Sequence, residues 1–180
     1  MNELANRIKL TTGDITRLPL DAIVTAANSA LRGGGGVDGA VHAAAGPELV
    51  AASLALAPCP PGEARITSGF RLPAKWVIHA VGPIYRGGSE REAETLASAY
   101  ACSLALAREN ALRSIAFPCI STGVYGYPKA EAADVAISTV VESLRREDMP
   151  ISVTFCCYDP ADAALYRERF RDLGIEPSPL

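Results

Sequence analysis

The run WVIHAV, residues 76–81, is almost unbroken apolar sequence. A strand with one wet face alternates apolar and polar side chains, so a run without alternation belongs to a strand covered on both faces. Such strands need helices above and below them, and the flanking sequence supplies these. Downstream, Ala93, Leu96, Tyr100, Leu104 and Ala107 recur at helical spacing within residues 90–110 and make one apolar stripe. A strand over 114–120 follows, then a helix over 129–146 with Ala133, Ala136, Val140 and Leu144 on one side. A strand over 151–158 and a helix over 160–171 close the chain. Upstream, 8–11 and 21–26 are short β-favouring runs separated by a turn with Pro19, and 63–68 alternates like a half-buried strand. Residues 37–45 read as a helix ended by Gly46-Pro47, and 48–56 as a second, stopped by PCPPG at 58–62. This alternation predicts one α/β domain, a mostly parallel sheet with helices on both faces. The first strands are too close together for helical crossovers, which predicts some antiparallel pairing.

Composition narrows the function. The 180 residues are 49% apolar and 21% charged, ordinary globular usage that builds a core without disulfide or metal support. A net charge of −3, with no basic or aromatic stripe, argues against a nucleic-acid partner. MNELANRIKL lacks the apolar core of a signal peptide, and no apolar run reaches membrane-spanning length, so no membrane partner is expected. The five cysteines (Cys59, Cys102, Cys119, Cys156 and Cys157) include no CxxC and no histidine at ligand spacing, which disfavours structural zinc. Cys156 and Cys157 are neighbours on a strand and point to opposite faces. All five read as reduced residues of a cytoplasmic protein.

Chemistry is expected where strands end, because ligands of α/β sheets collect outside the carboxyl ends of strands. Three loops leave such ends: NSALRGGGGVDG from residue 28, STGVYGYP from residue 121, and YDP from residue 158. The first two are glycine-rich, and glycine lets successive N–H groups turn toward one point and hold phosphate oxygens. The helix beginning near Val37 adds its free N–H groups and positive dipole end. Neither loop is a Walker motif, and the first is not GxGxxG with its downstream acid. Either the tetraglycine is a flexible surface turn, or two loops grip a diphosphate from two sides. The pairing of the loops favours the diphosphate.

The segments GDIT (13–16), TAAN (25–28), GGGGVDGAVHAAAGPEL (33–49), HAVGP (79–83) and ISTGVYGYP (120–128) resemble the macrodomain family. In particular they are similar to its MacroD-type branch of ADP-ribose-processing hydrolases, over about residues 8–170. The resemblance implies a three-layer α/β/α sandwich around a mixed sheet, with residues 1–180 as one macrodomain and its core at about 8–172. It implies ester hydrolysis: deacetylation of O-acetyl-ADP-ribose and removal of mono-ADP-ribose from acidic side chains of ADP-ribosylated proteins. No cofactor is implied. An ADP-ribose reader without turnover and a regulatory scaffold are the competing readings.

By the same resemblance Asp14 would accept a hydrogen bond from the adenine amino group, with the Ile15 N–H alongside; as an aspartate before ITRL it is also a favoured N-cap. Asn28 would face the proximal ribose, although asparagine also forms turns at strand ends. Gly34, Gly35, Gly36 and Val37 would form the first phosphate loop, and Ser121, Thr122, Gly123, Val124 and Tyr125 the second. Tyr125 would lie over ribose and diphosphate, and Tyr158 against the adenine. Asp38 complements the helix dipole by its position, and by resemblance it is the general base. Either Asp38 or a substrate phosphate would activate the water that attacks the ester. The helix end should lower the Asp38 pKa and a bound diphosphate should raise it.

The other candidates read as structural. His79 lies in the buried strand and reads as a core histidine, while His42, one helical turn after Asp38, is either structural or touches the cleft. Nothing flanking Cys119 signals a lowered thiol pKa. The acidic and histidine residues show no ligand cluster, so no metal is expected. Thr25 stands where asparagine is common in the branch, and it keeps a hydrogen-bonding group there. Arg145 to Asp148 reads as a solvated helix end.

Overall fold

A computed structural model describes residues 3–146 and 151–180. Among these, β1 (Ile8–Thr12), β2 (Ala22–Ala26), β3 (Ala64–Ser68), β4 (Trp76–Ala80), β5 (Ser114–Phe117) and β6 (Ser152–Cys157) form one sheet in the order β1-β6-β5-β2-β4-β3. The helices are α1 (Glu3–Arg7), α2 (Gly36–Ala45), α3 (Glu48–Leu54), α4 (Glu92–Glu109), α5 (Lys129–Arg146) and α6 (Pro160–Asp172). The opening run is β4, between β2 and β3, with Val77, Ile78, His79 and Ala80 all inaccessible.

Alternate strand residues feed two cores, as pleating requires. On one face Val24, Ile115, Phe117 and Phe155 meet side chains of α1, α4, α5 and α6, among them Tyr100, Val140 and Phe170. On the other, Ile23, Val77, Ala116 and Cys156 meet Val41, Ala45 and Leu49 of α2 and α3, together with Ile15. The fold is therefore a three-layer α/β/α sandwich.

The antiparallel pairing is not among the first strands. β1 and β2 are separated by β6 and β5, and the antiparallel neighbours are β3 and β4. The reason is reach. Residues 13–21 cannot hold a helical crossover, but a nearly extended chain of that length spans about 30 Å. It crosses the sheet face with only a 3-10 turn, Ile15–Arg17, packing Ile15, Leu18 and Leu20 as it goes. The outer edge of β1 is covered by the C-terminal segment, where Ser178 N donates to Ile8 O at 3.0 Å and Leu10 N to Ser178 O at 3.1 Å.

Other boundaries shift for local reasons. The strand expected to reach residue 120 stops at Phe117, because Pro118 has no N–H for the ladder. The helix expected from residue 90 starts at Glu92, whose carboxylate closes the preceding turn. Of the charge run, Glu147 and Asp148 lie outside the described residues; Arg146 pairs with Glu142.

Five strands, from β1 to β4 across the sheet, run parallel, so their carboxyl ends share one edge. From neighbours β2 and β5 the chain departs in opposite directions, β2 toward β4 and β5 toward β6. A crevice forms at such a switch point. No described helix is long and apolar enough to cross a membrane.

Candidate active site

The loop after β2 is built around Asn28. Its backbone carbonyl accepts from Leu31 N at 3.0 Å, its Nδ2 donates to Gly33 O at 2.8 Å, and its Oδ1 accepts from Arg32 N at 3.4 Å. The amide therefore straps the glycine loop, the turn-forming role that asparagine favours at strand ends. Gly33 and Gly36 take φ of +82° and +56°, conformations that side chains resist. α2 begins at Gly36, and Gly35 before it offers no side-chain cap. The first-turn N–H groups therefore receive no side-chain partner from the cap. A Cβ at Gly39 would stand 2.6 Å from Gly34 O, so this second glycine is what lets the loop lie against α2.

Asp38 is the third residue of α2, and it points inward rather than into solvent: it is 3% exposed. Thr25 Oγ1 donates to Asp38 Oδ1 at 2.9 Å, and His42 Nε2 lies 3.5 Å from the same oxygen. Burial raises the Asp38 pKa above the ordinary 3.8, against the lowering pull of Thr25 and His42. The rise is therefore present without a diphosphate, contrary to the helix-end argument. Asn28 Nδ2 and Asp38 Oδ2 both lie beside Gly34: a Cβ built there would be 3.6 Å from the first and 3.7 Å from the second.

The loop after β5 spends its hydroxyls on its own shape. Ser121, at φ +67°, donates from Oγ to Pro83 O at 2.8 Å, and Thr122 Oγ1 donates to Cys119 O at 2.9 Å. Gly126 N to Gly123 O at 3.0 Å and Tyr127 N to Ser121 O at 2.9 Å close the turn, which Tyr125 O joins to Tyr85 N at 2.8 Å. Gly123 and Val124 are exposed and Tyr125 half-buried at the rim. Gly82 permits this contact, since a Cβ there would be 2.2 Å from Ser121 Oγ.

Asp14 caps the 3-10 turn after β1, accepting from Thr16 N at 3.0 Å and Thr16 Oγ1 at 2.6 Å. The Thr16 hydrogen bonds hold its carboxyl below the ordinary value. Ile15 beside it is buried. Gly13 N donates to Cys157 O at 2.9 Å, which ties this corner to the end of β6, where Tyr158 is 85% exposed. Strand order then sets the sequence of groups along the edge: Asp14 and Tyr158, the loop after β5, and finally Asn28 and Asp38.

Three groups that read as bland in the sequence join or flank the site. Thr25 is the partner of Asp38. His42 and His79 approach it from two sides, and the ligand atoms of Asp38, His42 and His79 all lie within 4.8 Å of one another. The expectation that acidic and histidine residues form no cluster is thus corrected: β4 sits beside β2, so residues far apart in sequence meet under α2. Burial pushes the His79 pKa down to about 4, which keeps the ring neutral near pH 7. Cys119 also departs from expectation, because a hydrogen bond with Cys157, sulfur to sulfur at 3.8 Å, holds its thiol below the ordinary value.

Comparison with known proteins agrees with this architecture. Residues 24–136 match the Macro domain family model. An O-acetyl-ADP-ribose deacetylase of Citrobacter rodentium is 53% identical over 173 residues, covering 94% of this chain and 98% of that protein. The Oceanobacillus iheyensis macrodomain with ADP superposes with a TM-score of 0.90 at 43% identity, over 96% of this chain and 94% of that one. The Trypanosoma brucei macrodomain in complex with ADP-ribose gives 0.87 at 39% identity, over 93% and 71%. Sheet order, the two glycine loops and the extent of these matches lead to one assignment: the chain belongs to the macrodomain family.

Proposed function

We propose that this macrodomain hydrolyses ester-linked ADP-ribose, beginning with the acetyl ester of O-acetyl-ADP-ribose. The observation that carries this reading is the buried Asp38 carboxylate, held by Thr25 and lying with the Asn28 amide beside Gly34 of the first glycine loop. A module that only bound ADP-ribose would have no use for a desolvated carboxylate beside a polyanion.

The series of groups along the sheet edge fits an elongated ligand. Asp14, with the Ile15 N–H and the Tyr158 ring, would take the adenine. The N–H groups of Gly34, Gly35, Gly36 and Val37 and those of Ser121 to Tyr125 would take the diphosphate from two sides. Asn28 would hold the proximal ribose, with Tyr125 over it. A water beside Asp38 would lose its proton to the carboxylate as it attacks the acyl carbon, and the released alcohol would take a proton back. The raised Asp38 pKa suits this task, since a base closer to neutrality is a stronger one. Holding both ends of the diphosphate keeps the ester in line with that water.

The same chemistry extends to mono-ADP-ribose on aspartate or glutamate side chains of proteins, which present the same acyl–ribose bond. The unpaired thiols support a reducing, cytoplasmic setting. The test is timed acetate release from O-acetyl-ADP-ribose beside calorimetric titration with ADP-ribose. Asp38→Ala is expected to keep ADP-ribose affinity and lose turnover by about 100-fold or more. An Asp38→Ala protein with full turnover overturns the role of Asp38, and wild type that binds without releasing acetate is a reader instead.

A further inference from the structure

The polar groups under α2 continue past Asp38. Thr25 and His79 are register partners on β2 and β4, and they share the sheet face of Ile23 and Val77 that α2 covers. The His42 and His79 ring centroids are 6.2 Å apart. Thr67 Oγ1 lies 2.9 Å from His79 Nε2 and donates its own hydrogen to Ser68 O at 3.1 Å, so it accepts from His79 Nε2–H. That bond fixes the tautomer and leaves the lone pair on Nδ1. Nδ1 is fully buried and has no hydrogen-bond partner among the described residues. A buried orphan of this kind calls for a partner.

The group that suits this surrounding is a cation. Two imidazoles and a carboxylate form a donor set for a divalent ion of the zinc class. Each buried donor also has the outer hydrogen bond that such ligands use for orientation: Thr67 on His79 and Thr25 on Asp38. Ligand distances of about 2.0–2.2 Å place tetrahedral donors about 3.4 Å apart. Asp38 Oδ1 and His42 Nε2 already stand at 3.5 Å, and the remaining separations stay within 4.8 Å. His42 is the least buried of the three, so its ring has the most room to adjust to an ion.

We propose that Asp38, His42 and His79 bind one divalent ion of the zinc class beneath α2, and that its occupancy withdraws the Asp38 carboxylate from the substrate water and silences hydrolysis. The silencing rests on the role given to Asp38 above; the binding stands without it.

Titration of chelator-stripped protein with Co2+, followed by visible and near-ultraviolet absorption, tests the binding directly. One ion per chain is expected, with the visible bands of a tetrahedral Co2+ site and no strong thiolate-to-metal band in the near ultraviolet. His42→Gln and His79→Gln are each expected to weaken binding by at least about tenfold, and Cys119→Ser to leave it unchanged. Circular dichroism establishes that the variants fold, and the partly exposed His42 keeps the test open where a change at the buried His79 does not. Absence of uptake, a strong thiolate band, or binding undiminished in the folded histidine variants overturns the site.

One equivalent of Zn2+ is expected to suppress acetate release by wild type but not by His42→Gln, each measured against its own metal-free rate. Turnover that Zn2+ leaves unchanged or raises overturns the silencing. Uptake lost in the histidine variants with no acetate release from any protein removes the ester-hydrolysis reading and keeps the site. Turnover without uptake does the reverse.

Discussion

Asp38 and Thr25 show how one hydrogen bond gives a carboxylate its chemistry. A buried acid with a raised pKa binds its proton more tightly folded than unfolded, so its contribution to stability falls as pH rises through that range. Asp38→Asn removes this cost. It is expected to melt at a higher temperature than wild type at pH 7, with the gap closing as pH falls below the ordinary carboxylate value, in thermal melts across that range. Hydrolysis has the opposite need, because the base must be ionised. The acid limb of the rate profile, measured with chelator present, is therefore expected above the ordinary carboxylate pKa. Thr25→Val keeps the shape and removes the donor, which should move that limb to higher pH. Loss of a hydrogen bond to a charged group, about 1.5–3 kcal/mol, corresponds to a roughly ten- to hundredfold fall in turnover on the acid side of that limb, where the carboxylate is protonated. A profile identical to wild type would contradict the role given to Thr25.

Loops and helices are positioned by close approaches that only glycine permits. Alanine at Gly39 would press on Gly34 O and lift the first loop from α2; alanine at Gly82 would press on Ser121 Oγ and Ile120 Cγ2 and displace the second. Overpacking of this kind costs about 1–3 kcal/mol. Both variants are expected to melt earlier and to bind ADP-ribose more weakly by calorimetry. At the start of α4 the device is electrostatic. The buried Glu92 carboxylate accepts from Arg86 N at 3.1 Å and Gly88 N at 2.7 Å, and also from Glu90 N. Burial raises its pKa, but these N–H groups outweigh burial and hold it below the ordinary 4.5. A depressed folded pKa gives stability that is present above the unfolded value and lost as pH falls through the folded one. Glu92→Gln should therefore melt below wild type at pH 7, with a gap that narrows in acid. A gap independent of pH would mean that the charge is irrelevant to the turn.

Across the protein, parallel strands bring five loops to one edge, and a ligand spanning that edge would tie them together. ADP-ribose at about 100 times its Kd should stabilise the fold by about 2.7 kcal/mol. For a chain of this size that is a rise in Tm of roughly 5–10 °C. ADP and ribose 5-phosphate touch only parts of the edge and should give smaller shifts in the same thermal scan. Equal shifts for all three would place the binding energy in the ribose 5-phosphate unit that they share.

Much of this was open to reading in the sequence. WVIHAV marked a strand covered on both faces, helical stripes at 90–110 and 129–146 supplied the covering layers, and the glycine loops with Asn28 and Asp38 marked strand ends where a ligand would bind. These signals are local: periodicity, turn chemistry and backbone freedom are properties of a few consecutive residues. Where the strands stand relative to one another is not local. An extended nine-residue crossover separates β1 from β2, and the placement of β4 beside β2 brings His79 to Asp38. Of the partners of Asp38, His42 is one helical turn away, but Thr25 and the buried imidazole of His79 meet it only once α2 is laid on the sheet. Sequence patterns record what each segment buries, whereas packing selects the neighbours, because desolvation and hydrogen bonding act between segments rather than within them.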